Sequence, residues 1–172
     1  MKKTVYETNY ERLLKLSIFS EDVEVSSHRK SISDGFMDLV VERNTLLDDV
    51  TGNKGVGFSL AHYYVQNGDL CSDPLMEIII YPDTKKVEAF SFEMSLPPVY
   101  QVVYPEPGKV YLRLKKELND FLRQWLNNLI DQGHGKNWID KTLSNEDIVV
   151  TPVYLPKFAV LTCLVKPLCP AQ

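Results

Sequence analysis

The sequence is poor in residues that cross-link a chain or bind transition metals. Cysteine occurs three times in 172 residues, at positions 71, 163 and 169, and no Cys-x-x-Cys pair is present. A fold of this size buries roughly 70% of its unfolded surface, so it needs no disulfide or zinc ion to hold its core. Unpaired thiols are typical of a reducing compartment, and we expect a cytoplasmic protein.

Long apolar runs are also lacking. No stretch approaches 18 uncharged apolar residues, the length that a membrane-spanning helix requires. The chain begins Met-Lys-Lys and continues with acids and tyrosines in place of the apolar centre of a signal peptide. We therefore expect no contact with a membrane.

Neither sign of charge dominates the composition. The net charge is −4, and the 19 lysines and arginines are scattered along the chain. Tight nucleic-acid binding requires a basic face or stripe, so nucleic acid is not an expected partner.

The common catalytic signatures are missing. There is no Gly-x-Ser-x-Gly nucleophile elbow, and the glycine-rich stretch at 52–57 lacks the Gly-Lys-Ser/Thr ending of a phosphate-binding loop. These absences favour a protein that is not an enzyme, although they do not decide the question.

What is present is a pattern of alternating elements. Thr4 and Glu7 have the spacing of a capping box, which predicts a helix over about 5–17. A second, longer helix is predicted over 109–132 because apolar residues recur there at intervals of three and four, and Gly133 and Gly135 follow as stop signals. A short helix is predicted near 137–141. Runs of β-branched and aromatic residues predict five main strands, at 35–43, 58–65, 75–81, 86–94 and 99–104. A further short strand is possible at 23–26.

This order predicts an α+β fold. We expect an antiparallel sheet of about five strands packed against the long helix, with the N-terminal helix beside it. A single domain would span residues 1–145, and a proline-rich extended segment would span 146–172, packing on the domain or on a partner.

The most polar part of the predicted sheet is the stretch from His62 to Glu77. Strand alternation places His62 on the same face as large apolar residues, which favours a partly buried histidine satisfied by a hydrogen bond. Asn67-Gly68 is a strong hairpin signal, and Asp69 and Asp73 are typical of turns. The simplest interpretation is a turn between two strands.

A second interpretation gives these residues a chemical role. Asp69, Asp73 and Glu77 could supply oxygen ligands to Mg²⁺ or Mn²⁺, with His62 as a further ligand or a general base. Such a site would make the protein a metal-dependent hydrolase or nuclease that cleaves a phosphodiester. Otherwise no cofactor is expected.

Tyrosine is abundant, with nine in the chain. Because a tyrosine can bury its ring and keep its hydroxyl hydrated, it suits both cores and interfaces. We take Tyr63, Asn67, Tyr100 and Tyr104 as a candidate binding surface for a protein partner or a second copy of the chain.

Several stretches form a distinctive series: Ala-His-Tyr at 61–63, Gln-Asn-Gly-Asp-Leu at 66–70, Asp-Pro-Leu-Met-Glu at 73–77, Tyr-Gln-Val-Val-Tyr at 100–104 and the helix that follows. This series resembles an uncharacterised bacterial family, a domain of unknown function met in Firmicutes and in plasmids, phages and other mobile elements. It covers about residues 35–133 and implies an accessory function of mobile DNA, with no assigned activity. The leading hypothesis is therefore a non-enzymatic binding protein that acts through protein contacts.

Overall fold

The computed structural model describes residues 3–20, 28–48 and 50–140. This part of the chain forms one seven-stranded antiparallel sheet and two α-helices, which confirms the predicted α+β class. The helices are α1 (Val5–Lys15) and α2 (Leu112–Asp131). The strands are β1 (His28–Ser31), β2 (Leu39–Arg43), β3 (Val56–Gln66), β4 (Asp69–Tyr81), β5 (Lys86–Met94), β6 (Val99–Val102) and β7 (Trp138–Asp140). The order across the sheet is β6-β5-β4-β3-β2-β1-β7.

Both helices lie on one face of the sheet. Along β4, Met76, Ile78 and Ile80 are fully buried in the same core cluster as the apolar stripe of α2. The stripe contains Leu118, Leu122, Trp125, Leu126 and Leu129, as the spacing of three and four predicted. Every second residue of β4 therefore points to the helices, and the residues between point to the other face.

The N-terminus of α1 has the predicted capping box. The Glu7 N–H donates to Thr4 Oγ1 over 3.3 Å, and the Thr4 N–H donates to the Glu7 carboxylate over 2.8 Å. The hydrogen bond from the Thr4 N–H also lowers the pKa of Glu7. The helix thus begins where the sequence places it, because its first orphan N–H groups find local acceptors.

Buried asparagines connect the two helices to the sheet. The Asn9 amide on α1 donates to the Asn119 carbonyl on α2 over 3.2 Å. Asn119 in turn accepts a hydrogen bond from the Ala89 N–H of β5 through its side-chain oxygen, over 3.0 Å. Since these groups are buried, their hydrogen bonds fix the position of both helices on β5.

The expected number of strands was too low, and one predicted helix was wrong. Residues His28–Ser31 form β1, and Trp138–Asp140 form β7 where a short helix near 137–141 was predicted. β7 pairs with β1, so each polar, short strand is stabilised by a neighbour that is distant in sequence. The strand predicted at 35–43 begins only at Leu39.

The turn between β3 and β4 is tighter than expected. Asn67 and Gly68 have φ of 54° and 90°, as a two-residue hairpin turn requires, which confirms this part of the prediction. Asp69 and Asp73, however, lie within β4 and not in a longer turn. The strand continues through them because β3 extends to Gln66 and pairs with Asp69.

Two further predictions concern residues beyond the described ones. The possible strand at 23–26 and the proline-rich segment at 146–172 both lie outside the described residues. Within those that are described, no helix is long and apolar enough to cross a membrane.

Candidate binding surface on the helix-free face of the sheet

His62 lies in the core, as the alternation of β3 predicted. Its side chain is buried against Trp125, with ring centroids 5.5 Å apart. The Trp125 N–H donates to His62 Nε2 over 3.3 Å, so Nδ1 carries the proton and donates to the Asp38 carbonyl over 2.9 Å. Both ring nitrogens are engaged by protein groups, which leaves neither free to act on a substrate in this arrangement.

The three carboxylates of the proposed metal site lie far apart along one strand. Asp69 and Asp73 are exposed, and Glu77 is half-buried near the middle of the sheet. Four residues of extended strand span about 13 Å, so Asp69 and Asp73 cannot share an ion with Glu77. Across residues 3–20, 28–48 and 50–140, no three His, Cys, Asp or Glu side chains group as metal ligands. The expected convergence is thus not found.

The sheet face that points away from the helices forms a different surface, which we call the open face. The strand registers align its side chains in two rows across the sheet. The first row contains His28, Glu42, Ser59, Glu77, Ser91 and Val102, and the second contains Ile139, Lys30, Val40, Ala61, Leu75, Glu93 and Tyr100. Seven strands at about 4.8 Å spacing make this face about 29 Å wide.

Glu77 is at the centre of the open face and is held in a fixed orientation. The Asn44 amide donates to one carboxylate oxygen over 2.8 Å, and the Ser91 hydroxyl donates to the other over 2.6 Å. Both donors are neutral, and Glu77 forms no ion pair with any residue that the structure describes. Each oxygen can still accept a further hydrogen bond, so the carboxylate is an oriented acceptor without a cation.

Two tyrosines lie within electrostatic range of Glu93 on the same face, and the second of them also lies near Glu77. Burial, followed by the charges of Glu42 and Glu93, raises the pKa of Tyr63. Burial, followed by the charges of Glu77 and Glu93, raises the pKa of Tyr100, although its side chain is 66% exposed. Both phenols therefore stay protonated at neutral pH and can donate hydrogen bonds.

The other two members of the predicted binding surface lie elsewhere. Asn67 is at the tip of the β3–β4 hairpin. Ten residues of extended strand, about 33 Å, separate it from Glu77. The Tyr104 hydroxyl donates to Glu88, close to the first turn of α2. The structure thus keeps Tyr63 and Tyr100 together and separates Asn67 and Tyr104 from them.

Sequence reasoning missed the two residues that orient Glu77. Asn44 lies just after the predicted strand at 35–43 and outside every predicted element, and Ser91 lies in a predicted strand with no recognised polar role. Their relation to Glu77 depends on the pairing of β4 with β5 and on the path of the chain after β2, neither of which is a local property. No motif could have revealed it.

The fold and the surface define an α+β protein in which helices cover one face of an antiparallel sheet and polar and aromatic side chains occupy the other. The chain belongs to the family described as Domain of unknown function (DUF6908), which matches residues 8–135. Membership of an uncharacterised family is thereby confirmed. No curated protein and no solved structure matches the chain.

Proposed function

We propose that the protein is a binding module that docks a basic segment of a partner protein on its open face. The observation that carries the proposal is Glu77, a carboxylate at the centre of this face that neutral donors orient and that no described cation neutralises. An accessory role in a bacterial mobile element, in the cytoplasm, fits a domain that binds and does not catalyse.

The charge distribution on the open face supports a basic partner. Its two basic side chains already have acidic partners, since Lys30 contacts Asp38 over 2.5 Å and His28 contacts Glu42 over 2.8 Å. Glu77 and Glu93 form no ion pair within the described part of the chain. The surface is therefore left with negative charge that a lysine or arginine of a partner would complement.

The composition of the face supports a protein as the partner. Leu75 and Val40 are half-buried, and Tyr100 is exposed at the β6 end of the same row. Tyrosine is enriched in protein interfaces because it contributes a large contact area together with a hydrogen-bonding group. A row of side chains that extends across about 29 Å also suits a protein segment better than a small molecule, which binds in concave sites.

The fixed orientation of Glu77 supports tight contact with a cation. A guanidinium or ammonium that reaches this carboxylate would form a charge-assisted hydrogen bond. Because Asn44 and Ser91 already hold the side chain, little conformational entropy is lost when the partner binds.

The proposal is tested by titrating the full chain with a short peptide of alternating arginine and leucine, followed through backbone amide NMR shifts. We expect the largest shifts on β4 and β5 around residues 75–79 and 91–93. Glu77→Gln keeps the size of the side chain and removes its charge, so it should weaken binding about tenfold to a hundredfold. Glu117→Gln on α2 is the matched control, since Glu117 is exposed and pairs with Arg113 on the helix side of the molecule.

Equal binding of a glutamate–leucine peptide, or shifts confined to the helices, would contradict the proposal. A second copy of the chain is the other occupant to test, because the open face could pair with itself. Sedimentation of the wild type and of Glu77→Gln over a range of concentrations separates the two cases, since a wild-type dimer that Glu77→Gln weakens would assign the face to self-association and contradict the proposal.

A further inference from the structure

A cavity of about 500 Å³ lies at the end of the sheet, between the loop at 51–54, the β4–β5 hairpin and the first turn of α2. Its lining includes Lys54, Tyr81, Lys86, Glu88, Tyr104 and Lys115. Glu88 is opposite Ile79 in the β4–β5 register, on the same side of the sheet as Glu77. The volume is in the range of sites that bind small organic molecules.

The floor of the cavity is a hydrogen-bonded group of three side chains. The Lys115 ammonium donates to Glu88 and to the Tyr104 hydroxyl, each over 2.8 Å. The Tyr104 hydroxyl in turn donates to Glu88, whose side chain is nine-tenths buried. A lysine ammonium carries three N–H donors, so Lys115 has one left for a ligand.

The protonation of this group is fixed at neutral pH. Burial and the hydrogen bond to Glu88 raise the pKa of Tyr104 to about 12. Burial lowers the pKa of Lys115, but the hydrogen bonds and charge of Glu88 outweigh it and raise the pKa overall. Tyr104 thus remains a neutral donor and Lys115 a cation.

The cavity has a surplus of positive charge, although the protein as a whole carries −4. Lys115 and Glu88 neutralise each other, while Lys54 and Lys86 face only Asp83 along the lining. Neither Lys54 nor Lys86 forms an ion pair with a described residue, and Lys86 acts on Glu7 of α1 only by lowering its pKa at longer range. Two lysines and one carboxylate thus remain beside the neutral Lys115–Glu88 pair, which leaves the cavity with one net positive charge that suits an anion.

We infer that this cavity binds a phosphate ester of mononucleotide size. Lysine ammonium groups bind phosphate as point charges, and Lys54 and Lys86 are the lining lysines that form no ion pair with a described residue. Tyr81 lines the same space, and its ring would give a planar group of the ligand an aromatic contact, whereas the Tyr104 ring is already stacked on Phe90 and covered by Lys115. The Tyr81 hydroxyl contacts Thr51 over 2.8 Å, which holds the loop against the hairpin and keeps the cavity formed.

The test is isothermal titration of the full chain with adenosine monophosphate, ribose 5-phosphate, adenosine and inorganic phosphate. We expect adenosine monophosphate to bind and adenosine not to bind. Lys54→Gln and Lys86→Gln should each raise the dissociation constant about tenfold, because each removes one charged contact with the phosphate. Lys116→Gln is the matched control, since Lys116 is exposed one residue away from Lys115 and does not line the cavity.

Three results would overturn the inference: no binding of either phosphate ester, binding of adenosine as tight as that of its monophosphate, or an equal loss in Lys116→Gln. Ribose 5-phosphate binding supports it, whether weaker than the nucleotide or equal to it, and the difference measures what the ring contributes. Glu77→Gln should leave nucleotide binding unchanged, so a failure here is distinguishable from a failure of the open face to bind a basic peptide.

Discussion

Two buried imidazoles lie next to each other at the centre of the molecule and differ in how they are satisfied. The rings of His62 and His134 are 6.0 Å apart. His62 has partners at both nitrogens, whereas His134 has the Ser31 hydroxyl 3.3 Å from Nδ1 and, among the described residues, no hydrogen-bond partner at Nε2. A charged His134 would therefore be poorly solvated. Burial, followed by the charge of His62, lowers its pKa below the ordinary 6.5.

This lowered pKa predicts a loss of stability in mild acid. Between the folded pKa of His134 and its unfolded value of about 6.5, the unfolded chain binds more protons than the folded one, so stability falls as pH falls through that window. We expect the urea midpoint of the wild type to drop more between about pH 7.5 and about pH 5.5 than that of His134→Gln. An NMR titration of the His134 ring gives the pKa directly, and an unchanged pH slope in the variant would contradict the assignment.

The burial of Trp125 predicts a large contribution of its side chain to the free energy of unfolding. It is 7% exposed, contacts His62 edge-on and donates its N–H to that ring, whereas Phe121 one turn earlier is 38% exposed. Trp125→Ala should lower the free energy of unfolding by about 3 to 5 kcal/mol in urea denaturation. Phe121→Ala, the matched control, should cost clearly less. A loss below about 1 kcal/mol for Trp125→Ala would mean that the helix stripe is not core.

At the scale of elements, the β3–β4 hairpin has a regular two-residue turn, but the pairing of residues between its strands and with β5 is irregular. Asn67-Gly68 sets the turn, and the pairing then shifts between Ala61 and Tyr63, and again where Glu77 and Ile78 pair with β5. Each shift is a bulge that changes which residues lie opposite each other. The alternation of β3 was predictable from its sequence, but the bulges depend on how two strands fit together.

The close contact between β3 and the short 3₁₀ segment Thr45–Leu47 predicts that a side chain at Gly57 destabilises the fold. A Cβ at Gly57 would lie 2.3 Å from the Asn44 carbonyl oxygen and 2.5 Å from Leu47 Cβ. Because the oxygen belongs to the backbone, it cannot rotate away, so Gly57→Ala should destabilise the fold by about 1 to 3 kcal/mol. Since the Asn44 amide also holds Glu77, the variant should bind the basic peptide more weakly.

Ser59→Ala provides the control for this substitution, as Ser59 lies on the same strand and is half-buried. It should change stability by less than about 1 kcal/mol. Thermal unfolding of both variants measures the difference, and a Gly57→Ala protein as stable as the wild type would show that the 3₁₀ segment moves aside at no cost.

At the scale of the whole molecule, the sheet separates structural from binding functions. The face under α1 and α2 holds the continuous apolar core, while the open face carries Glu77, Glu93 and Tyr100. The proposed phosphate site lies where Glu88 of β5 meets Lys115 in the first turn of α2. A partner bound on the open face and a small ligand in the cavity would therefore contact different parts of the molecule.

The sequence by itself determined the local features of this protein. The capping box at Thr4 and Glu7, the stripe of α2, the positive φ values at Asn67-Gly68 and the burial of His62 each follow from residues within a few positions of one another. Only the tertiary structure decided which strands are neighbours and which side chains meet across them. Glu77 is 33 residues from Asn44 and 14 from Ser91, and Ser31 is 103 residues from His134. Such contacts depend on long-range pairing, because loop closure and core packing bring distant segments together and no local periodicity encodes the result.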